Sequence, residues 1–122
     1  TDATSHQVSI GYSIAKAGLE QLTRINAHEL GKYKVRVNAL KLGSIPSGAM
    51  DKWGEEKEKI DAMFKLFEPI HAIGRNGSFN DVSEMVKFIA QNNKSGWITG
   101  AIIDLNGGWS LHGAGSTGGW PT

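Results

Sequence analysis

Apolar residues recur at helical spacing in two long segments of this 122-residue chain. Ile14, Leu19, Leu22, Ile25 and Leu30 fall on one stripe between Tyr12 and Leu30, which predicts a long amphipathic helix, and Glu20 with Arg24 adds a favourable i,i+4 pair. Gly31 follows the last periodic residue, where a left-handed cap is expected. Val82, Met85, Val86 and Ile89 sit at i, i+3, i+4 and i+7, behind Asn80 or Asp81, either of which can cap the helix they predict. With Asp81 as the cap, Glu84 completes a capping-box pattern. Between these helices the charged segment from Asp51 to Phe67 reads as a helix of weaker amphipathicity.

Two shorter runs have another rhythm. Val35 to Leu40 (VRVNAL) is β-branched and short, and Ile98 to Leu105 (ITGAIIDL) is apolar and closed by Asn106-Gly107-Gly108, so both predict strands. LGSIPSGAM (42–50) and IGRNGS (73–78) carry turn residues and read as loops. The opening TDATSHQVSIG is small and polar, a loop running straight into the first helix. Strands separated by helices imply a parallel pair with a right-handed crossover, in a sheet covered on both faces. Sheets usually hold about 4 to 6 strands, so partner strands are expected outside this sequence.

Composition narrows the function classes. With 39% hydrophobic and 20% charged residues, the chain has the make-up of one globular domain. Thirteen basic against twelve acidic side chains leave a net charge of +1, which points to no nucleic-acid footprint and no anionic-membrane patch. Cysteine is absent, which excludes disulfides and thiolate metal sites. No apolar run approaches the roughly 20 residues of a membrane span, and no secretory signal pattern is present. The expectation is a soluble, cytoplasmic chain.

The candidate chemistry begins with GYSIAKAG, residues 11–18. Tyr12 and Lys16 are one helical turn apart and share a face, next to the positive end of the helix. An ammonium there stabilises phenolate and turns a tyrosine, ordinarily titrating near 10, into a usable proton donor and acceptor. Such a pair suits protonation of a carbonyl oxygen or deprotonation of an alcohol. The alternative is two residues on a wet face. His6, His28, His71 and His112 have no ligand spacing and read as surface or core histidines. Trp53, Phe64 and Phe67 either line a pocket or pack. Asp104 reads as a strand carboxylate, and the charges from Lys52 to Lys59 as a solvated helix face.

Y-S-I-A-K-A-G, a helix ending in H-E-L-G, V-R-V-N-A-L, L-G-S-I-P-S, I-G-R-N-G and W-I-T-G-A-I-I-D-L-N-G-G follow one another over residues 11 to 109. In that order and spacing they resemble the C-terminal half of a short-chain dehydrogenase/reductase. The resemblance implies an α/β fold, the C-terminal portion (helix, strand, helices, strand) of a Rossmann-type doubly wound parallel sheet over residues 1–109, with a Gly-rich tail at 110–122. It implies an NAD(P)-dependent oxidoreductase that interconverts a small-molecule secondary alcohol and a ketone, with NAD or NADP as cofactor. Tyr12 matches the catalytic tyrosine, and Lys16 the lysine that activates it and holds the nicotinamide ribose. The loop matches the family's P-G-x-x-x-T segment: Gly43 is its glycine, Ile45 offers backbone contacts to the carboxamide, and Ser47 stands for threonine. Leu42 replaces the proline and costs the loop rigidity. Without the resemblance, Gly43 is equally a simple turn glycine.

The resemblance also implies what lies upstream of Thr1: the glycine-rich phosphate turn, the residue that selects NAD or NADP, and the catalytic serine and asparagine. Asp2, Ser5 and Ser9 stand too close to Tyr12 for the serine's place. Homo-oligomers that pair through the long helix and the last strand are expected. Gly113 to Gly118 fits G-x-G-x-x-G, but no strand leads directly into it and only four residues follow, so it reads as tail. The alternative for the whole is an inactive fragment that serves as a structural or assembly element.

Overall fold

The computed structural model describes residues 10–48, 54 and 56–111. Trp53, the opening loop with Asp2, Ser5, Ser9 and His6, and the tail with His112 and the G-x-G-x-x-G match lie outside the described residues. Two compact units divide the chain: one takes the residues up to Ala39 together with Gly96–Ile103, the other Leu40–Ser95 and the residues from Asp104.

In the first unit the helix α1 spans Ile10–Leu30, two residues longer at its start than the periodicity predicts. It buries a small-residue strip, Thr23 and Ala27, rather than the large apolar stripe. The Thr23 hydroxyl donates to Leu19 O at 2.8 Å, so this β-branched polar residue is satisfied within its own helix. Gly100 lies against Ala27, with room for no more than van der Waals contact from a Cβ, which would fall 3.4 Å from Ala27 Cβ. The expected cap at Gly31 is corrected. Gly31–Tyr33 continue as a 3₁₀ turn, and the left-handed residue is Lys34 at φ 62°. Lys34 N–H donates to Gly31 O and Val35 N–H to Leu30 O, the paired bonds of a Schellman ending.

Two parallel strands pair, β1 at Ala39–Leu42 and β2 at Ile102–Leu105. Ala39 N–H donates to Ala101 O and Gly43 N–H to Leu105 O, so residue numbers rise together along the ladder. Both strands begin four residues later than expected, for reasons on either side. Gly100 stands at φ 71°, off the extended path, so the apolar run from Ile98 is not one strand. Opposite it, side chains take the ladder's place: Asn38 Nδ2 donates to Ile98 O, Asn38 Oδ1 accepts from Ala101 N–H, and Thr99 Oγ1 accepts from Val37 N–H. Arg36 also donates to Ile98 O, at 2.9 Å.

In the second unit α2 spans Lys57–Phe67, shorter than the predicted 51–67, because Gly54 forms a turn and Glu56 takes the extended N-cap conformation. Its buried residue is Ile60. A 3₁₀ turn follows at Glu68–Ile70. The helix α3 spans Phe79–Ala90, and its cap corrects the expectation at Asn80 or Asp81. Ser78 is the N-cap, and Asp81 is the reciprocal member of a capping box. The short α4, Asn92–Ser95, is fastened to α3 by the Ser95 hydroxyl, which lies 2.8–3.1 Å from the carbonyls of Phe88, Ile89 and Gln91. After β2 the chain makes one 3₁₀ turn at Trp109–Leu111. Helix, strand, helices and strand thus follow one another as an α/β, Rossmann-type portion, and among the described residues no helix is long and apolar enough to cross a membrane.

Candidate active site

Tyr12 and Lys16 both stand near the start of α1, in the first unit. Tyr12 is 56% exposed, and Lys16 Nζ lies 5.3 Å from the centroid of its ring. This is cation–π range, so the positive charge is held beside the phenol, adding to the positive end of the helix. No acidic side chain occupies the first turn of α1 to oppose that field.

Gly43, Ile45 and Ser47 come together in the second unit, along a cavity of about 550 Å³. Phe64, Phe67 and Trp109 form its aromatic wall, with Lys41 and Asp104 among its polar lining. The aromatic rings meet edge to face, Phe64 with Phe67 at 6.4 Å and Phe67 with Trp109 at 5.4 Å, an arrangement that favours the ring quadrupoles. The two readings of Phe64 and Phe67, pocket wall and packing, therefore both describe them. Asp104 is exposed rather than set in a buried strand.

Gly43 is required by close approach rather than by a turn. A Cβ there would sit 2.9 Å from Asn106 Cα and 2.9 Å from His71 Nε2, where no side chain fits. Its amide bonds Leu105 O at 3.1 Å, so the loop leaves β1 pressed onto the end of β2. The next carbonyl, Ser44 O, accepts from Gly77 N–H, and Ile45 rests against Gly77. Nothing among the described residues bonds the backbone N–H or carbonyl of Ile45. The Ser44 hydroxyl is buried without a partner among the described residues.

Sequence reasoning missed His71. It is 2% exposed; Nδ1 lies 2.8 Å from Phe67 O, and Nε2 accepts from Ser44 N–H at 3.2 Å. Nothing in the local pattern marks it, because one of its partners, Ser44, lies 27 residues away in the sequence. Arg75 and Asp81 were missed as a pair as well. They form two hydrogen bonds of 2.8 and 3.0 Å, and Ser78 adds its N–H and its hydroxyl to the same carboxylate. The Arg75 guanidinium first, and then Ser78, hold the Asp81 carboxyl well below the usual carboxylate range. Here a signal existed, since Ser78-x-x-Asp81 has capping-box spacing. Among the described residues no three His, Asp or Glu side chains gather as a metal site.

A family model described as enoyl-(acyl carrier protein) reductase matches residues 3–110. The mouse (3R)-3-hydroxyacyl-CoA dehydrogenase is 37% identical over 98 residues, covering 80% of this chain and 35% of that protein. The enoyl-(acyl carrier protein) reductase (NADH) of Haemophilus influenzae is 35% identical over 105 residues, covering 86% and 38%. Among solved structures, a Caenorhabditis elegans short-chain dehydrogenase/reductase of unknown function, determined with cofactor, superposes with a TM-score of 0.77 at 31% identity, over 84% of this chain and 39% of that one. The chain belongs to the short-chain dehydrogenase/reductase family. It spans little more than a third of the length of these curated relatives.

Proposed function

We propose that the protein carrying this chain is an NAD(P)-dependent oxidoreductase interconverting a secondary alcohol and a ketone, with Tyr12 as acid and base and Lys16 as its activator. The observation that carries the reading is the Lys16 ammonium beside the Tyr12 ring at the start of α1. In the oxidative direction the Tyr12 oxygen takes the hydroxyl proton of the alcohol while the carbinol carbon gives up its hydride; in reduction it returns the proton to the carbonyl oxygen. The nicotinamide supplies the hydride acceptor or donor.

The loop fits the flat, amide-bearing ring in three respects. Gly43 presents no side chain, the backbone groups of Ile45 have no partner among the described residues and can pair with a carboxamide, and Ser47 adds a hydroxyl beside an aromatic-walled cavity. Gly43, Ile45 and Ser47 would hold the nicotinamide, and Lys16 and Tyr12 its ribose. The exposed Ile14, Leu19, Leu22 and Ile25 of α1 support pairing of subunits through that helix, in a homo-oligomer. The test is Tyr12→Phe in the protein that carries this chain. Dehydrogenase activity is expected to fall by at least a hundredfold with dinucleotide affinity and fold kept; retained activity removes the mechanism.

A second reading is that the 122-residue polypeptide by itself is catalytically inactive and acts as a structural or assembly element. Its support is the core: Ala27 and Ile60 are the buried hydrophobic residues among those described.

A further inference from the structure

We propose that His71 is the positioning residue of the 43–47 loop, setting the path on which Ile45 and Ser47 are presented. The inference rests on the reading of that loop as the nicotinamide contact. A carbonyl only accepts, so Nδ1 must carry the proton shared with Phe67 O; an amide N–H only donates, so Nε2 must offer its lone pair to Ser44. The two partners therefore select one neutral tautomer. The ring cannot turn away from it, because Trp109 stands edge-on at 4.9 Å, and Gly43 and Gly107 close on it so tightly that a Cβ would fall 2.9 Å from Nε2 and 3.3 Å from Cδ2. One side chain thus joins the end of α2, the turn after β2 and the loop that leaves β1. His71 holds the loop through the backbone N–H adjacent to Ile45, beside the bonds of Gly43 N–H to Leu105 O and of Gly77 N–H to Ser44 O. Without an acceptor that part-buried N–H is unpaired, and the loop shifts toward water to satisfy it.

Two substitutions separate this role from packing. His71→Gln reaches the Nε2 position with a carbonyl oxygen and can still accept from Ser44; His71→Asn reaches only the Nδ1 position, keeping the bond to Phe67 O and leaving Ser44 N–H without an acceptor. Both give up the ring contact with Trp109, so both melt below the wild type. In the protein carrying this chain, titrated with NADH and with NADPH, the dissociation constant is expected to rise about tenfold in His71→Asn and to stay near wild type in His71→Gln. Equal weakening in both variants overturns the role and leaves His71 as packing alone. A wild-type protein that binds neither dinucleotide overturns the functional reading, and this role with it. Should either variant fail to fold, the ¹⁵N–¹⁵N coupling across the hydrogen bond between Ser44 N and His71 Nε2 decides in the wild type: its presence is expected, and its absence overturns the proposal.

Discussion

Gly43 shows how a residue acquires its role from elements distant in sequence. In the sequence it is one of several loop glycines, and a turn accounts for it as readily as a cofactor contact. The structure supplies a different reason, backbone and imidazole pressed to within 2.9 Å of where a Cβ would be. Crowding of that kind is relieved only by moving the Asn106 backbone or His71, and overpacking a tight site costs about 1–3 kcal/mol. Gly43→Ala is therefore expected to lower stability by that amount in denaturant melts, and a variant within 0.5 kcal/mol of the wild type would remove the close-approach argument. His71 was illegible as a loop contact for the same cause that makes Gly43 indispensable: the contacts between the 43–47 loop, His71 and Asn106 join segments distant in sequence. Tyr12 and Lys16 were legible as a pair because one helical turn brings them together without help from tertiary structure.

At the scale of elements, helices were read well and their ends poorly. The stripes of α1 and α3 are local, and both helices stand where periodicity puts them. Ser78 outcompetes Asn80 and Asp81 for the cap because Asp81 earns more as the reciprocal partner, accepting from Ser78 and Arg75 together. Strand starts failed because a ladder depends on its partner, and here Asn38 and Thr99 side chains occupy the first rungs. The capping box carries a pH signature. Since the Asp81 carboxyl titrates lower in the folded chain than its ordinary value of 3.8, its stabilisation is present above that value and is lost as pH falls through the folded one. Asp81→Asn is expected to melt below the wild type at neutral pH, with the gap closing as the pH drops below about 4. A gap that does not vary with pH would show that the ion pair contributes nothing to folding.

For the whole molecule, the order of elements was legible and the core was not. Alternating helix and strand defines the class, but the large apolar residues that create the pattern remain in view: Ile14, Leu19, Leu22 and Ile25 are 45–67% exposed. Exposed apolar area on this scale marks surfaces meant to be covered. The 122-residue polypeptide on its own is accordingly expected to bind a hydrophobic dye such as ANS strongly and to show no saturable binding of NADH or NADPH. Saturable binding by that polypeptide would remove the inactive-element reading.

The pairing of β1 with β2 leaves each strand one outer side whose amides and carbonyls have no strand beside them among the described residues. Such a rim is indifferent to which chain it meets. In a wider sheet it accepts sister strands; left open, it is a template for a strand of a second molecule. A charge placed on that rim is expected to slow such association without touching Tyr12 or Lys16.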